Sequence, residues 1–308
     1  MKNENIFGLL GVSGQYRPIN KKNKSRLIEE ALYSFEMIDT ASVYGGTEPI
    51  NDLLGNIITS SNSKIKIINK IGASLIDEMD PKKMIYEFNM EQKKFKSSNV
   101  EAILLHRPSL KLLKRDLEFL HYLEENFPDI NTGLCTNNLE VLRAYTKKIN
   151  MKYLQIAANL IDYNPAVKVL RLAKKLGIIT LARSVLSSGI MARKYNKVES
   201  FNFKDSIRRR FTQNKANRKI LKQRLLASDK IFSFFIDLKK NQKIDKKETF
   251  ERFIFALTRS SPYIDKVILG GTTLNQINHN SREFSVYPDN LIEEIFNNRI
   301  NEWSAPYI

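Results

Sequence analysis

The sequence predicts a closed (β/α)8 barrel of the TIM type, one α/β domain over residues 1–308, on three observations. Apolar, β-branched runs bounded by turn residues recur eight times; segments with helical spacing stand between them; and the order is strand then helix throughout. Near-continuously apolar strands belong to a parallel sheet covered by helices, and eight units in 308 residues favour closure over an open sheet. An open doubly wound sheet would usually carry GxGxxG after its first strand, a spacing that "GLLGVSG" lacks.

The elements follow in order. "IFGLLGV" opens as a strand, "SRLIEEALYS" repeats its apolar residues at helical spacing, and "FEMIDTA" is the second strand. "PINDLLGNII" begins with proline, which suits a first helical turn, and leads to the strand "IKIINKIG". "PKKMIYEFNMEQKKF" precedes the strand "VEAILLH", and "KLLKRDLEFLHYLEENF" precedes "INTGLCT". "NLEVLRAYTKKI" starts on a capping asparagine and is followed by "YLQIAAN", then "AVKVLRLAKKL" and the seventh strand "GIITLAR". The stretch from about 193 to 249 is too long for one crossover and reads as a basic helical insertion before the eighth strand "DKVILGG". Within and just after it, "RKILKQRLLASDKIFSFFIDLKK" and "KETFERFIFALTRS" have helical spacing, and "DNLIEEIFNNRINEW" predicts one closing amphipathic helix.

Composition narrows function. No run of eighteen apolar residues occurs and the amino terminus lacks a signal-peptide pattern, so a soluble, cytoplasmic protein with no membrane partner is expected. One cysteine, Cys135, and three histidines give no metal-ligand cluster, and no metal is expected. The net charge of +17 asks for an acidic partner. Residues 193–224 hold twelve Lys and Arg against Glu199 and Asp205, so they supply ten of those charges. Nucleic acid is the weaker candidate, because no recognised binding module is present and an anionic cofactor or substrate explains the loop about as well.

In a barrel the strand ends and the loops after them share one mouth, where chemistry belongs. The second strand ends with Asp39 and its loop carries Tyr44; the third ends at Lys70 and the fourth at His106. An ammonium in the apolar run "IINKIG" needs a carboxylate, and Asp39 is the one at hand. A neighbouring ammonium lowers a phenol's pKa, which would make Tyr44 a usable general acid, while His106 could donate to the same substrate oxygen. Alone, Asp39 and Tyr44 would read as a helix cap and a turn tyrosine, and His121 as an ordinary helix-face histidine. The lysine and histidine strands shift Asp39 and Tyr44 to catalysis.

"FEMIDTASVYGGTEPINDLLG", "IINKIG" and "AILLHRP" together resemble the aldo-keto reductase family, and the resemblance runs along nearly the whole chain. It places Asp39, Tyr44, Lys70 and His106 at the family's catalytic tetrad. It implies an NAD(P)H-dependent oxidoreductase that reduces an aldehyde or ketone, or oxidises the alcohol, with NADPH as cofactor and NADH as the alternative. Gln155 falls where the nicotinamide carboxamide is held. Cys135 and Thr136 replace the usual Ser-Asn there, which weakens the hydrogen bonds expected to that ring. Arg183 replaces a stacking aromatic, and Ser184 and Leu186 fall at pyrophosphate positions. "VILGGTTLNQINHN" is similar to the terminal cofactor segment, giving Gly271, Thr272, Gln276 and Asn280 roles at the adenosine phosphate and adenine. The Lys and Arg that grip the 2′-phosphate in many members are missing, which leaves Thr272 and the basic loop around Arg208 to Arg210. The positive loop suggests a small carbonyl substrate of anionic or sugar-like character. The alternative implied by the resemblance is a cofactor-binding regulatory subunit, a redox sensor acting on a protein partner.

Overall fold

Eight parallel strands close into a ring in chain order: β1 (Asn3–Gly8), β2 (Phe35–Ala41), β3 (Lys66–Ile71), β4 (Val100–His106), β5 (Asn131–Cys135), β6 (Tyr153–Ala157), β7 (Ile179–Arg183) and β8 (Lys266–Gly270). The computed structural model describes residues 3–95, 99–193, 197–198 and 206–306. Closure is made by β1 against β8, with Gly8 opposite Gly270. Between the strands lie α1 (Lys21–Ser34), α2 (Ile50–Ser61), α3 (Pro81–Gln92), α4 (Leu113–Asn126), α5 (Leu139–Thr146) and α6 (Tyr163–Lys175).

Between β7 and β8 stand the short α7 (Ser206–Arg209), the 26-residue α8 (Lys215–Lys240) and α9 (Phe250–Arg259). Asn214 caps α8 by accepting from the Asn217 N–H at 2.8 Å. Leu221, Leu225, Ile231, Phe235 and Leu238 form its buried stripe. Residues 194–196 and 199–205 of the basic stretch lie outside the described residues. The chain continues through α10 (Leu274–Asn280).

The expected closing helix is interrupted. It runs as α11 (Asp289–Glu294), a π-helical stretch Ile295–Arg299 and α12 (Ile300–Trp303). At 3.6 residues per turn Ile295 and Ile300 would point well apart; the wider turn brings them to one face, where both are buried with Trp303.

Inside the ring, Ile6, Ile68, Ala102, Leu104, Tyr153, Leu181 and Ile268 form an apolar plug. Strand side chains alternate with period two, so the residue two places beyond each plug residue also points inward, one layer nearer the mouth. Those residues include Gly8, Lys70, His106, Gln155, Arg183 and Gly270. Among the described residues no helix is long and apolar enough to cross a membrane, and no group of three or more His, Cys, Asp or Glu is placed to hold a metal.

Candidate active site

Asp39 Oδ1 is the acceptor on which the deep layer converges. Lys70 Nζ donates to it at 2.5 Å and to the Thr40 carbonyl at 2.7 Å, while Gln155 Nε2 donates to it at 2.6 Å. Gln155 Oε1 in turn accepts from Cys135 Sγ at 3.3 Å. Lys70 is 1% exposed and Asp39 4%, so neither charge has water to fall back on. Burial pulls the Lys70 ammonium down, but Asp39 first, then Tyr44 and Cys135, raise it above its ordinary value. Lys70 is therefore held charged. On the outer face of the same strands, Thr40 donates to Asn51, and Asn51 and Asn69 both donate to Glu91, pinning β2 and β3 under α2 and α3.

The turn after β2 carries Tyr44. Its N–H donates to the Ala41 carbonyl, and its own carbonyl accepts from the Ile50 N–H, each at 3.0 Å. Gly45 makes this turn possible: its φ is +95°, and a Cβ there would lie 2.2 Å from the Glu48 carbonyl oxygen. Lys70 Nζ sits 5.0 Å from the Tyr44 ring centroid, and the His106 ring meets the Tyr44 ring edge-on at 6.3 Å. The sequence expectation of a lowered phenol pKa is reversed here. Burial of Tyr44 outweighs the opposing pull of Lys70 and pushes it up to about 12.

His106 is neutral. Burial first, then the cations Lys70, Arg107 and Arg183, lower its pKa from 6.5 to about 3. Its buried Nδ1 has no hydrogen-bond partner among the described residues. A carbonyl oxygen entering the mouth can thus meet a protonated phenol and a neutral imidazole, backed by a fixed ammonium.

The rim beyond β5 to β7 is built differently. Thr136 is buried and its Oγ1 accepts from the Asn138 N–H at 3.1 Å. Arg183 Nη1 reaches Ser184 Oγ at 3.4 Å. Ser184, Ser187 and Ser188 adopt left-handed φ values of 58°, 52° and 56°, a strained arrangement for three non-glycine residues in five. Leu186 lies between them and closes the turn by accepting from the Gly189 N–H at 2.9 Å.

Side chains that no local motif announced hold that turn. Arg224, from α8, donates to both Asp162 oxygens at 2.6 and 2.7 Å and to Ser187 Oγ at 2.5 Å. Asn159 Nδ2 donates to Asp162 and to the Ser184 carbonyl. Arg210 lines the same small cavity as the three serines, so it is placed at the serine turn. Arg208 stands over the Tyr16 ring and donates to the Tyr16 carbonyl at 3.2 Å, on the loop after β1.

At β8, the Gly271 carbonyl lies so near Gly11 that a Cβ on Gly11 would come within 2.7 Å of it. Thr272 donates its N–H and hydroxyl to Gln276 Oε1, and Asn280 Nδ2 donates to the Gly270 carbonyl at 3.0 Å. Of the sequence-predicted residues, then, Asp39, Tyr44, Lys70, His106, Cys135 and Gln155 meet at one point. Ser184, Leu186, Thr272, Gln276 and Asn280 mark the rim.

Residues 6–295 match the model of the aldo/keto reductase family. Solved structures share the fold at low identity. The glycerol dehydrogenase AKR11B4 from Gluconobacter oxydans superposes with a TM-score of 0.74 at 16% identity, covering 97% of this chain and 90% of that one. The holo form of aldo-keto reductase AKR11C1 from Bacillus halodurans gives 0.69 at 15%, covering 96% and 91%. An aldo/keto reductase from Klebsiella pneumoniae in complex with NADP and acetate gives 0.60 at 12%, covering 95% and 91%. No curated protein sequence matches the chain significantly.

Proposed function

The chain belongs to the aldo-keto reductase family and is an NAD(P)-dependent oxidoreductase acting on small-molecule carbonyls, and from that premise we propose that it reduces an aldehyde or ketone with NADPH, Tyr44 giving the proton. The observation that carries the proposal is the convergence of Lys70, Tyr44 and His106 above the Asp39 carboxylate, at the ends of β2, β3 and β4.

The cofactor reading is supported by the donor set. The mouth layer offers Arg183 beside Ser184, the serine turn is lined by Arg210, and Thr272 directs two donors to one acceptor. Such a chain of donors suits an elongated anion. When bound, the nicotinamide supplies the hydride.

The residues of the chain do the rest. Tyr44, with a pKa of about 12 before substrate enters, keeps its proton through the physiological range and releases it only to a stronger base, the oxygen that gains charge as the carbonyl is reduced. Lys70 stabilises the phenolate left behind, and Asp39 and Gln155 keep Lys70 in place. Neutral His106 donates a hydrogen bond to the carbonyl oxygen and orients it. The cations Arg107 and Arg183 near His106 favour an anionic carbonyl compound. The three solved structures compared above are named as a glycerol dehydrogenase and two aldo-keto reductases, which does not favour the regulatory-subunit reading.

Tyr44→Phe tests the proposal. Turnover should fall about 10²- to 10⁴-fold, with NADPH affinity nearly intact; a variant that kept its full rate would remove Tyr44 from the chemistry.

A further inference from the structure

The segment "GGTTLNQINHN" carries no Lys, Arg, Asp or Glu, so any charge that reads a phosphate there must come from elsewhere. Thr272 marks the place. Its N–H at 2.8 Å and its hydroxyl at 3.2 Å both end on Gln276 Oε1, so a neutral carboxamide oxygen stands where a phosphate oxygen would be a stronger acceptor. The carbonyl of the same residue accepts from Arg17 Nη2 at 2.7 Å, which fixes a guanidinium from the loop after β1 against it. A cavity of about 360 Å³ opens beside them, and its lining includes Arg17, Asn20, Asn23, Arg26, Thr272 and Thr273. Two arginines and no carboxylate face this space. Among the described residues neither guanidinium is paired with an acid.

We propose that Arg17 and Arg26 form the subsite that grips the phosphate monoester distinguishing NADPH from NADH. The inference rests on the cofactor reading above and deepens it. At neutral pH such a monoester carries about 1.5 to 2 negative charges, and a guanidinium presents paired donors that match its oxygens. Asn20, Asn23 and the Thr273 hydroxyl add neutral donors around it. The charge therefore comes from the loop after β1 and from α1, and not from the segment after β8.

Calorimetric titration of the whole chain with NADPH and NADH, at low and physiological salt, tests this without hydride transfer. Arg17→Ala and Arg26→Ala should each raise the NADPH Kd about tenfold, the double variant more, and NADH affinity should stay as in the wild type. Added salt should weaken NADPH more than NADH in the wild type and lose that difference in the double variant. Equal loss for both nucleotides would mean that Arg17 only orders its loop, and no loss for either would mean that the cavity does not hold the phosphate; both results overturn the proposal. A wild type that binds neither nucleotide would instead overturn the cofactor reading itself.

Discussion

The two ends of the barrel mouth are made in opposite ways. Around β2, β3 and β4 the polar side chains are buried and set on strands, and Lys70, with Gln155 from β6, donates to one oxygen of Asp39. Around β7 and β8 the polar groups sit mostly on the loops and helices that follow the strands. Three left-handed serines carry strain, and Thr272 directs both its N–H and its hydroxyl to Gln276 Oε1. The first arrangement suits chemistry, which needs fixed distances; the second suits a ligand that must enter and leave, because the Thr272 hydrogen bonds are exposed and end on a neutral amide oxygen that a ligand can replace.

The sharpest way to break this contrast is at Lys70. Lys70→Met leaves Asp39 buried without its cation, and stability should fall by about 3–5 kcal/mol, with turnover lost, as read by denaturant melts and a carbonyl assay. Asp39→Asn/Lys70→Met removes both charges and should recover much of that stability without recovering turnover. The rim should answer differently. Asp162→Ala strands the Arg224 guanidinium, so a loss of about 3 kcal/mol is expected, together with weaker NADPH binding but little change in the rate of the cofactor-saturated enzyme. A rate loss as large as that of Lys70→Met would erase the distinction.

A pH titration gives the next effect. His106 has a folded pKa of about 3 against 6.5 unfolded, so between those values the unfolded chain takes up a proton that the folded one refuses. This contribution to stability is complete above pH 6.5 and is lost as the pH falls toward 3. His106→Gln should flatten that part of the melting-temperature profile. The smallest effect belongs to Ser188→Gly: release of a left-handed non-glycine residue should stabilise the protein by up to about 1 kcal/mol, while a neutral result would show that the serine turn is not strained.

The end at β2, β3 and β4 was legible because two of its residues are anomalies in a local pattern. Lys70 and His106 interrupt or end apolar strands, and period two places them on the inner face with the plug. The rim was legible only as positions. Arg224 lies 62 residues from Asp162, and Arg17 255 residues from Thr272, separations at which no local signature exists. The direction of the Tyr44 shift also escaped the sequence, because a nearby ammonium can be inferred from a motif while the depth of burial that outweighs it cannot. The π-helical stretch escaped for a similar reason: it accompanies the joint burial of Ile295, Ile300 and Trp303, which depends on packing and not on local spacing.

The shared oxygen of Asp39 also bears on how the chain folds. Lys70 reaches it from 31 residues away and Gln155 from 116, so the first contact can form within a two-strand fragment while the second must await the docking of β6. A partly closed barrel would carry a buried carboxylate with one of its donors missing, a state poorly placed to accumulate. Assembly of the site is thereby coupled to completion of the ring. Heating should accordingly abolish turnover and melt the strands over the same few degrees, since no half-built barrel retains the geometry on which the reaction depends.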